Sequence, residues 1–254
     1  MPEQYRIYEF KTNNNKQNIR DKVITYLPTI GIVLIALIGL SLFGHITKGL
    51  TQKLIIYPIF IVSLVLHELS HGYMADFLGD PTPRQSGRLT LNPLKHLDLW
   101  GTLLFLICGF GWANPVPVNP NYFKKPDRAM VSVALAGPMC NLILAIIAAS
   151  ICKLIIMFQL DVNIVKIISP VCFFTSYINI MLAVFNLIPI PPLDGSRLVH
   201  YLLPVQYKAK YYQFSQQYSI IIFILVFMYA GEMITPITKQ LIHNLYSLFG
   251  LRLF

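Results

Sequence analysis

An apolar run at residues 64–79, LVLHELSHGYMADFLG, is interrupted by two histidines and a glutamate. His67 and His71 are four residues apart, so on a helix their imidazoles share one face and can reach a single metal ion. Glu68 lies beside the first histidine, where its carboxylate can take a proton from an attacking water. Ionisable groups inside a membrane segment are costly and usually have a function. This HExxH pattern therefore predicts a hydrolytic metal centre.

Two histidines leave such a centre one ligand short, because a catalytic zinc site usually has three protein ligands and a water. Asp194, in IPIPPLDGSR, ends an apolar segment on the same predicted side of the membrane as His71. The prolines before it hold the backbone extended and Gly195 allows a sharp turn, so its carboxylate can be aimed into the protein. His96, in NPLKHLDLW, is a rival for the third position, and His200 is a weaker one.

The composition is that of a membrane protein. Of the 254 residues, 55% are hydrophobic and only 12% are charged, whereas soluble domains are about 25% charged. A transmembrane helix needs roughly 20 mostly apolar residues, and five stretches have about that length: 26–44, 54–78, 129–158, 166–188 and 218–234. The net charge of +9 comes mainly from Lys and Arg in short connections, which is the positive-inside pattern, so nucleic-acid binding is not expected.

The order of these segments predicts an all-α polytopic membrane protein with five to six transmembrane helices. Residues 1–25 are expected to form a cytoplasmic N-terminal arm, and 26–254 a single membrane-embedded domain. The stretch 99–112 is short for a span and has basic loops on both sides. We therefore expect it to enter the membrane and return as a re-entrant, partly β segment after the second helix. Pro236 is expected to end the fifth helix, and 237–254 is either a sixth span or an interfacial helix.

Two motifs together carry a resemblance to a known family. HELSH at 67–71 and NLIPIPPLDG at 186–195 resemble the site-2 protease family of intramembrane zinc metalloproteases, in its minimal bacterial form without a PDZ or regulatory domain. Three further segments are similar to parts of the minimal bacterial members: 79–103, NPVPVN at 114–119, and AGPMCN at 136–141. The resemblance covers roughly residues 55–205, which is nearly all of the predicted core of the metalloprotease domain, 54–205.

The resemblance implies one zinc ion per chain, with Glu68 as the catalytic base and three ligands, His67, His71 and Asp194. It implies that Asn186 binds or polarises the scissile carbonyl, although this asparagine could instead brace a helix end through a hydrogen bond. Gly137 and Asn141 match a family motif on the helix beside the site, for which close helix packing is the favoured role and a direct part in the chemistry is the alternative.

The implied reaction is hydrolysis of a peptide bond in a transmembrane or membrane-associated protein near the cytoplasmic side. The expected location is the bacterial cytoplasmic membrane, which the chain crosses several times with its N-terminus in the cytoplasm. The expected partners are membrane protein substrates and the lipid bilayer.

A membrane zinc transporter is the alternative function, since some transporters also carry HExxH within a helix. A transporter needs further polar residues along a path through the membrane, and outside 54–78 the predicted spans carry almost none. A non-catalytic scaffold is disfavoured because Glu68 and three possible ligands are present. A diiron desaturase needs more histidine boxes than six scattered histidines can supply.

Overall fold

The regular elements of the described part of the chain are helices. The computed structural model describes residues 50–108 and 113–251, so the predicted arm at 1–25 and the predicted first span at 26–44 lie outside the described residues. The helices are α1 (Leu50–Phe77), α2 (Leu99–Cys108), α3 (Pro126–Met157), α4 (Val162–Asn186), α5 (Gly195–Leu202) and α6 (Val205–Leu248). A one-turn helix and two 3-10 turns lie in the connections, at Thr82–Gln85, Pro93–Lys95 and Pro120–Tyr122.

Three helices in the described part of the chain are long and apolar enough to cross a membrane: Ile55–Phe77, Pro126–Met157 and Val162–Asn186. They coincide closely with the predicted spans 54–78, 129–158 and 166–188. Their length follows from the thickness of the hydrocarbon core, about 30 Å, since a helix rises about 1.5 Å per residue. The expectation of a polytopic helical membrane protein is therefore confirmed for these three spans.

The three candidate spans pack against one another, with α3 in contact with both α1 and α4. Small side chains line the contact between α3 and α4, including Ala145, Ala149, Cys152 and Cys172, which are buried. Small residues allow helix backbones to approach closely in a membrane, where van der Waals packing replaces the hydrophobic driving force. The α3 helix therefore forms the centre of the described fold.

The last helix differs from the prediction. Helix α6 continues through Pro236 to Leu248 as one element, so the proline does not end it and 237–248 is not a separate helix. Proline removes one backbone hydrogen bond from a helix interior. The turns after Pro236 are held by packing, because Ile242 and Tyr246 are buried in the core cluster with α3 and α4. Tertiary contacts therefore outweigh the local breaking signal.

The stretch after the second predicted helix also differs. Residues 99–108 form helix α2, so the predicted β character is not found there, and 109–112 lie outside the described residues. Asp98 caps the helix by accepting a hydrogen bond from the Gly101 N–H at 2.8 Å, which stabilises an N-terminus. The ring of Phe105 stacks on that of Phe60 in α1 with centroids 4.0 Å apart. The Asp98 cap and the contact of Phe105 with Phe60 thus stabilise this helix, although Gly101 lowers its intrinsic helix propensity.

Asp80 holds the connection between α1 and α2 in place. The residue is fully buried, and its Oδ1 accepts hydrogen bonds from the Thr82 N–H at 2.9 Å and from the Thr82 hydroxyl. Its Oδ2 accepts a hydrogen bond from the Asn119 N–H at 2.7 Å. Because Asn119 ends the segment 113–119, the carboxylate ties that segment to the end of α1.

We predict that Asp80→Ala lowers the free energy of unfolding by about 1–3 kcal/mol, because it leaves the partly buried N–H groups of Thr82 and Asn119 without an acceptor. The measurement is thermal unfolding in detergent micelles, followed by circular dichroism. Asp127→Ala is the matched control, since Asp127 pairs with Lys208 at 2.6 Å but its side chain is 55% exposed, and exposed ion pairs contribute little. Equal losses in the two variants would contradict the structural role of Asp80.

Candidate metal centre

Three potential metal ligands meet where α1, α3 and the start of α5 come together. Ligand atoms of His67, His71 and Asp194 lie within 4.8 Å of one another. The Nε2 atoms of the two histidines are 3.0 Å apart, and Oδ2 of Asp194 lies 3.2 Å from the first and 3.3 Å from the second. A tetrahedral zinc ion with ligand bonds of about 2.0–2.1 Å places neighbouring ligand atoms about 3.3 Å apart. The geometry therefore fits a zinc ion between the three side chains.

The two histidines are buried on one face of α1, and their rings meet edge to face with centroids 4.6 Å apart. Nδ1 of His71 lies 2.6 Å from the carbonyl oxygen of Val133 in α3. Because a carbonyl oxygen only accepts, this contact assigns the proton to Nδ1 and leaves the Nε2 lone pair of His71 facing the cluster. This is the tautomer that a metal ligand requires, and a hydrogen bond from the outer ring nitrogen is typical of ligating histidines.

Asp194 reaches the cluster because the chain turns sharply after α4. The residue directly precedes α5, and a Cβ atom on Gly195 would collide with the carbonyl oxygen of Leu187, so only glycine allows this close return of the backbone. Burial raises the pKa of the Asp194 carboxyl, but the neighbouring imidazoles of His67 and His71 outweigh burial and hold the pKa well below its usual range. The carboxylate is therefore the stable form, as a metal ligand must be.

Glu68 lies next to the cluster without joining it. Its side chain is half-buried, and Oε2 accepts a hydrogen bond from the Val116 N–H at 3.1 Å. Val116 belongs to the segment 113–119, which Asp80 fixes at its other end through Asn119. One carboxylate oxygen of Glu68 is thus oriented by the backbone of this segment.

The other sequence candidates take different positions. Nδ2 of Asn186 donates to the carbonyl oxygen of Leu182 at 3.0 Å within α4, which is the bracing contact considered for this asparagine. His96 is fully buried, and its Nε2 lies 2.8 Å from the carbonyl oxygen of Thr90. Among the described residues, neither His96 nor His200 belongs to the metal-ligand cluster. Both rivals for the third ligand are therefore separate from it.

Gly137 in α3 has a closer relation to the site than general helix packing. A Cβ atom at this position would lie 2.5 Å from Nε2 of His71 and 2.5 Å from Cε1 of His67. The absence of a side chain thus makes room for both imidazoles between α1 and α3. The sequence signal for this contact was the small-residue motif AGPMCN, whereas the carbonyl of Val133 has no sequence signal because it is a backbone atom.

The class of protein follows from these features: a protein with apolar membrane-length helices and a buried His-His-Asp metal centre. Comparisons with known proteins lead to the same class of protein. Residues 148–230 match the profile described as peptidase family M50. Over 170 residues the chain is 45% identical to YwhC of Bacillus subtilis, and the match spans 66% of this chain and 77% of YwhC.

More distant relatives match over a smaller part of their length. The chain is 32% identical over 141 residues to Rip2 of Mycolicibacterium smegmatis, which is 53% of this chain and 52% of Rip2. It is 27% identical over 179 residues to a protein from Methanocaldococcus jannaschii, covering 70% of this chain and 42% of that protein. The words zinc metalloprotease occur in the names of all three relatives. A solved site-2 protease from M. jannaschii aligns with a TM-score of 0.45 at 22% identity, over 88% of each chain.

The chain therefore belongs to peptidase family M50, the family of site-2 proteases. The resemblance drawn from the HExxH and LDG motifs is confirmed, as are the expectations of a zinc metalloprotease and of a zinc cofactor. The described part of the chain contains one His-His-Asp group that fits such an ion.

We predict that Gly137→Ala lowers the zinc content of the purified protein, because the added methyl group displaces both imidazoles. The measurement is the zinc-to-protein ratio by atomic spectroscopy after dialysis against a weak chelator. Gly231→Ala is the matched control, since a Cβ atom there meets nothing within 4 Å and alanine suits a helix better than glycine. Full zinc retention in Gly137→Ala would mean that the contact with the histidines does not constrain the site.

Proposed function

We propose that this chain is an intramembrane protease that hydrolyses peptide bonds of transmembrane or membrane-associated proteins near the cytoplasmic side. His67, His71 and Asp194 hold the zinc ion, and Glu68 is the catalytic base. The observation that carries the proposal is the convergence of Asp194 with two histidines of an apolar helix long enough to span a membrane. The domain is proposed to extend over 26–254, with five to six spans and a cytoplasmic arm at 1–25.

A bound zinc ion supplies Lewis acidity, which lowers the pKa of water towards about 7 and stabilises negative charge on a carbonyl oxygen. Glu68 takes a proton from the attacking water, whose oxygen bonds to the carbonyl carbon. Glu68 then delivers that proton to the peptide nitrogen as the carbon–nitrogen bond breaks. The hydrogen bond from Val116 to one carboxylate oxygen orients the side chain, so the other oxygen is available for the water.

Asn186 is proposed to donate a hydrogen bond to the scissile carbonyl. Its contact with Leu182 uses one amide hydrogen, and a side-chain amide carries two. Asn186 ends α4, and the loop that follows leads directly to Asp194. An amide at this point could therefore serve both as a helix brace and as a donor to the substrate.

The depth of the site supports access for water from the cytoplasmic side. His71 lies five residues before Asp76, which is about 7–8 Å along a helix. Asp76 pairs with Arg84 at 2.6 Å, and the arginine side chain is 71% exposed. Basic residues mark the cytoplasmic ends of membrane helices, so a charged pair one to two turns from the ligands is consistent with a shallow site.

A substrate helix must unwind before hydrolysis, because its peptide bonds are shielded by its own hydrogen bonds. We propose that 99–112 is a re-entrant segment beside which the unwound substrate lies. Two contacts support the return of the chain: an antiparallel bridge joins Leu97 to Ala113, and the Asn114 N–H donates to the carbonyl oxygen of His96 at 2.6 Å. The residues on either side of the proposed segment are therefore adjacent to each other.

The first test is Glu68→Gln in the purified protein. We predict that zinc content is retained while cleavage of a model transmembrane substrate falls by about 10²–10⁴-fold, the usual contribution of a general base. The measurement is substrate cleavage in proteoliposomes, together with the zinc-to-protein ratio. Asp194→Asn is the companion variant, which is expected to lose zinc and cleavage together.

Two outcomes would contradict this assignment. Cleavage by Glu68→Gln at the wild-type rate would mean that another group acts as the base. A change in zinc flux across the proteoliposome membrane without any protease activity in the wild type would favour the zinc transporter.

The second test concerns the re-entrant segment. We predict that Gly101→Pro impairs cleavage and leaves the zinc content intact, because proline lacks the backbone N–H that donates a hydrogen bond to Asp98. Leu99→Pro is the matched control, since Leu99 is the first residue of α2 and 69% exposed, and proline is tolerated at that position. Loss of zinc together with cleavage in Gly101→Pro would show that the segment only stabilises the fold.

A further inference from the structure

Two side chains on α1 and α3, the helices that pack around the metal centre, have buried polar atoms without a hydrogen-bond partner. One is Nδ1 of His67, and the others are Oδ1 and Nδ2 of Asn141 in α3, a residue that is 0% exposed. A buried polar group left unpaired costs about 1–3 kcal/mol, and native proteins contain few of them. An asparagine with both ends of its amide unsatisfied therefore calls for a functional explanation.

The two histidines of the site differ in one respect. Nδ1 of His71 lies 2.6 Å from the carbonyl oxygen of Val133, whereas Nδ1 of His67 has no partner. Nε2 of His67 faces Asp194 and His71, so metal binding through Nε2 places the ring proton on Nδ1. Ligating histidines almost always donate this proton to an oxygen, which fixes the ring and raises its basicity.

The register of α1 against α3 indicates which residue can supply that oxygen. His71 contacts Val133, and Gly137, one turn further along α3, lies against both histidines. The next turn of α3 brings Asn141 to the same face, since residues four apart are stacked along a helix. Cε1 and Nε2 of His67 are the ring atoms that a Cβ atom on Gly137 would meet, at 2.5 and 2.6 Å. Nδ1 is bonded to Cε1, so it lies one bond beyond the ring atoms that pack against α3.

We infer that Asn141 is a positioning residue whose Oδ1 accepts the hydrogen bond from Nδ1–H of His67 through one buried water. It holds the ring so that Nε2 points at the metal, as Val133 does for His71. Asn179 in α4 is the rival, because its Oδ1 is also buried without a partner. Its amide nitrogen, however, already donates to Ser63 and to the carbonyl oxygen of Thr175, both at 2.9 Å. The inference rests on the proposed role of His67 as a ligand.

The test is the zinc affinity of the purified full chain, measured with Zn²⁺ alone in competition with a chromophoric chelator. Asn141→Leu keeps the approximate size but removes the acceptor, and we expect its affinity to fall about 10- to 100-fold, as for other partners of ligating histidines. Asn141→Asp keeps an acceptor oxygen and should bind zinc nearly as tightly as the wild type. Asn179→Leu, the same change at another fully buried asparagine, should leave the affinity unchanged.

Each alternative has its own outcome. Unchanged affinity in Asn141→Leu overturns the inference, and equal weakening in the leucine and aspartate variants shows that only packing matters. Weakening confined to Asn179→Leu assigns the acceptor to Asn179 instead. If circular dichroism shows that Asn141→Leu does not fold, Asn141→Ala takes its place in the comparison with aspartate.

Two further measurements separate this inference from the proposed function. His67→Ala should abolish tight zinc binding, and retention of zinc in that variant would refute the proposed ligand set itself. Loss of zinc in His67→Ala with full binding in Asn141→Leu would refute only the role of Asn141. In the Co²⁺-substituted protein, the visible absorption bands should shift in Asn141→Leu and not in Asn179→Leu, because a reoriented imidazole changes the ligand field.

Discussion

The structure depends on keeping three ionisable side chains together in apolar surroundings. Isolated charges and unpaired imidazoles are costly to bury, so the cluster of His67, His71 and Asp194 needs each group to have a partner. Two requirements follow for the backbone. Helix α3 must approach α1 closely enough to offer a carbonyl to His71, which Gly137 allows. The chain after α4 must turn back on itself, which Gly195 allows.

The proline-rich segment 113–119 serves the same purpose next to the metal centre. Prolines at 115 and 117 have no N–H, which removes donors that an extended segment outside a sheet could leave unsatisfied. Three of the remaining N–H groups donate to defined acceptors: Asn114 to His96, Val116 to Glu68 and Asn119 to Asp80. Backbone N–H groups of this one segment therefore hold both Glu68, the proposed general base, and Asp80, which anchors the segment to the end of α1.

The sequence was sufficient for some of these features and not for others. The spacing of His67 and His71 predicted their shared face because helix geometry fixes it locally. Asp194 lies 123 residues after His71, and it was favoured by the prolines and by its depth. The helix at 99–108 was missed because glycines suggested irregular backbone, whereas the Asp98 cap and the contact of Phe105 with α1 stabilise a helix. Such contacts depend on tertiary packing that local propensity does not contain.

The polar groups deeper in the helices distinguish a hydrolase from a transporter. Ser63 lies one turn from His67, on the side away from Asp76, and it accepts a hydrogen bond from Asn179. In α4, Ser176 donates a hydrogen bond to the carbonyl oxygen of Ala145 in α3. These buried side chains are neutral and join helices to one another. A divalent cation moving through a medium of low dielectric constant needs compensating charge. Within the described spans the buried groups able to compensate such a charge are confined to the ligand cluster, so these spans do not line a path for a cation.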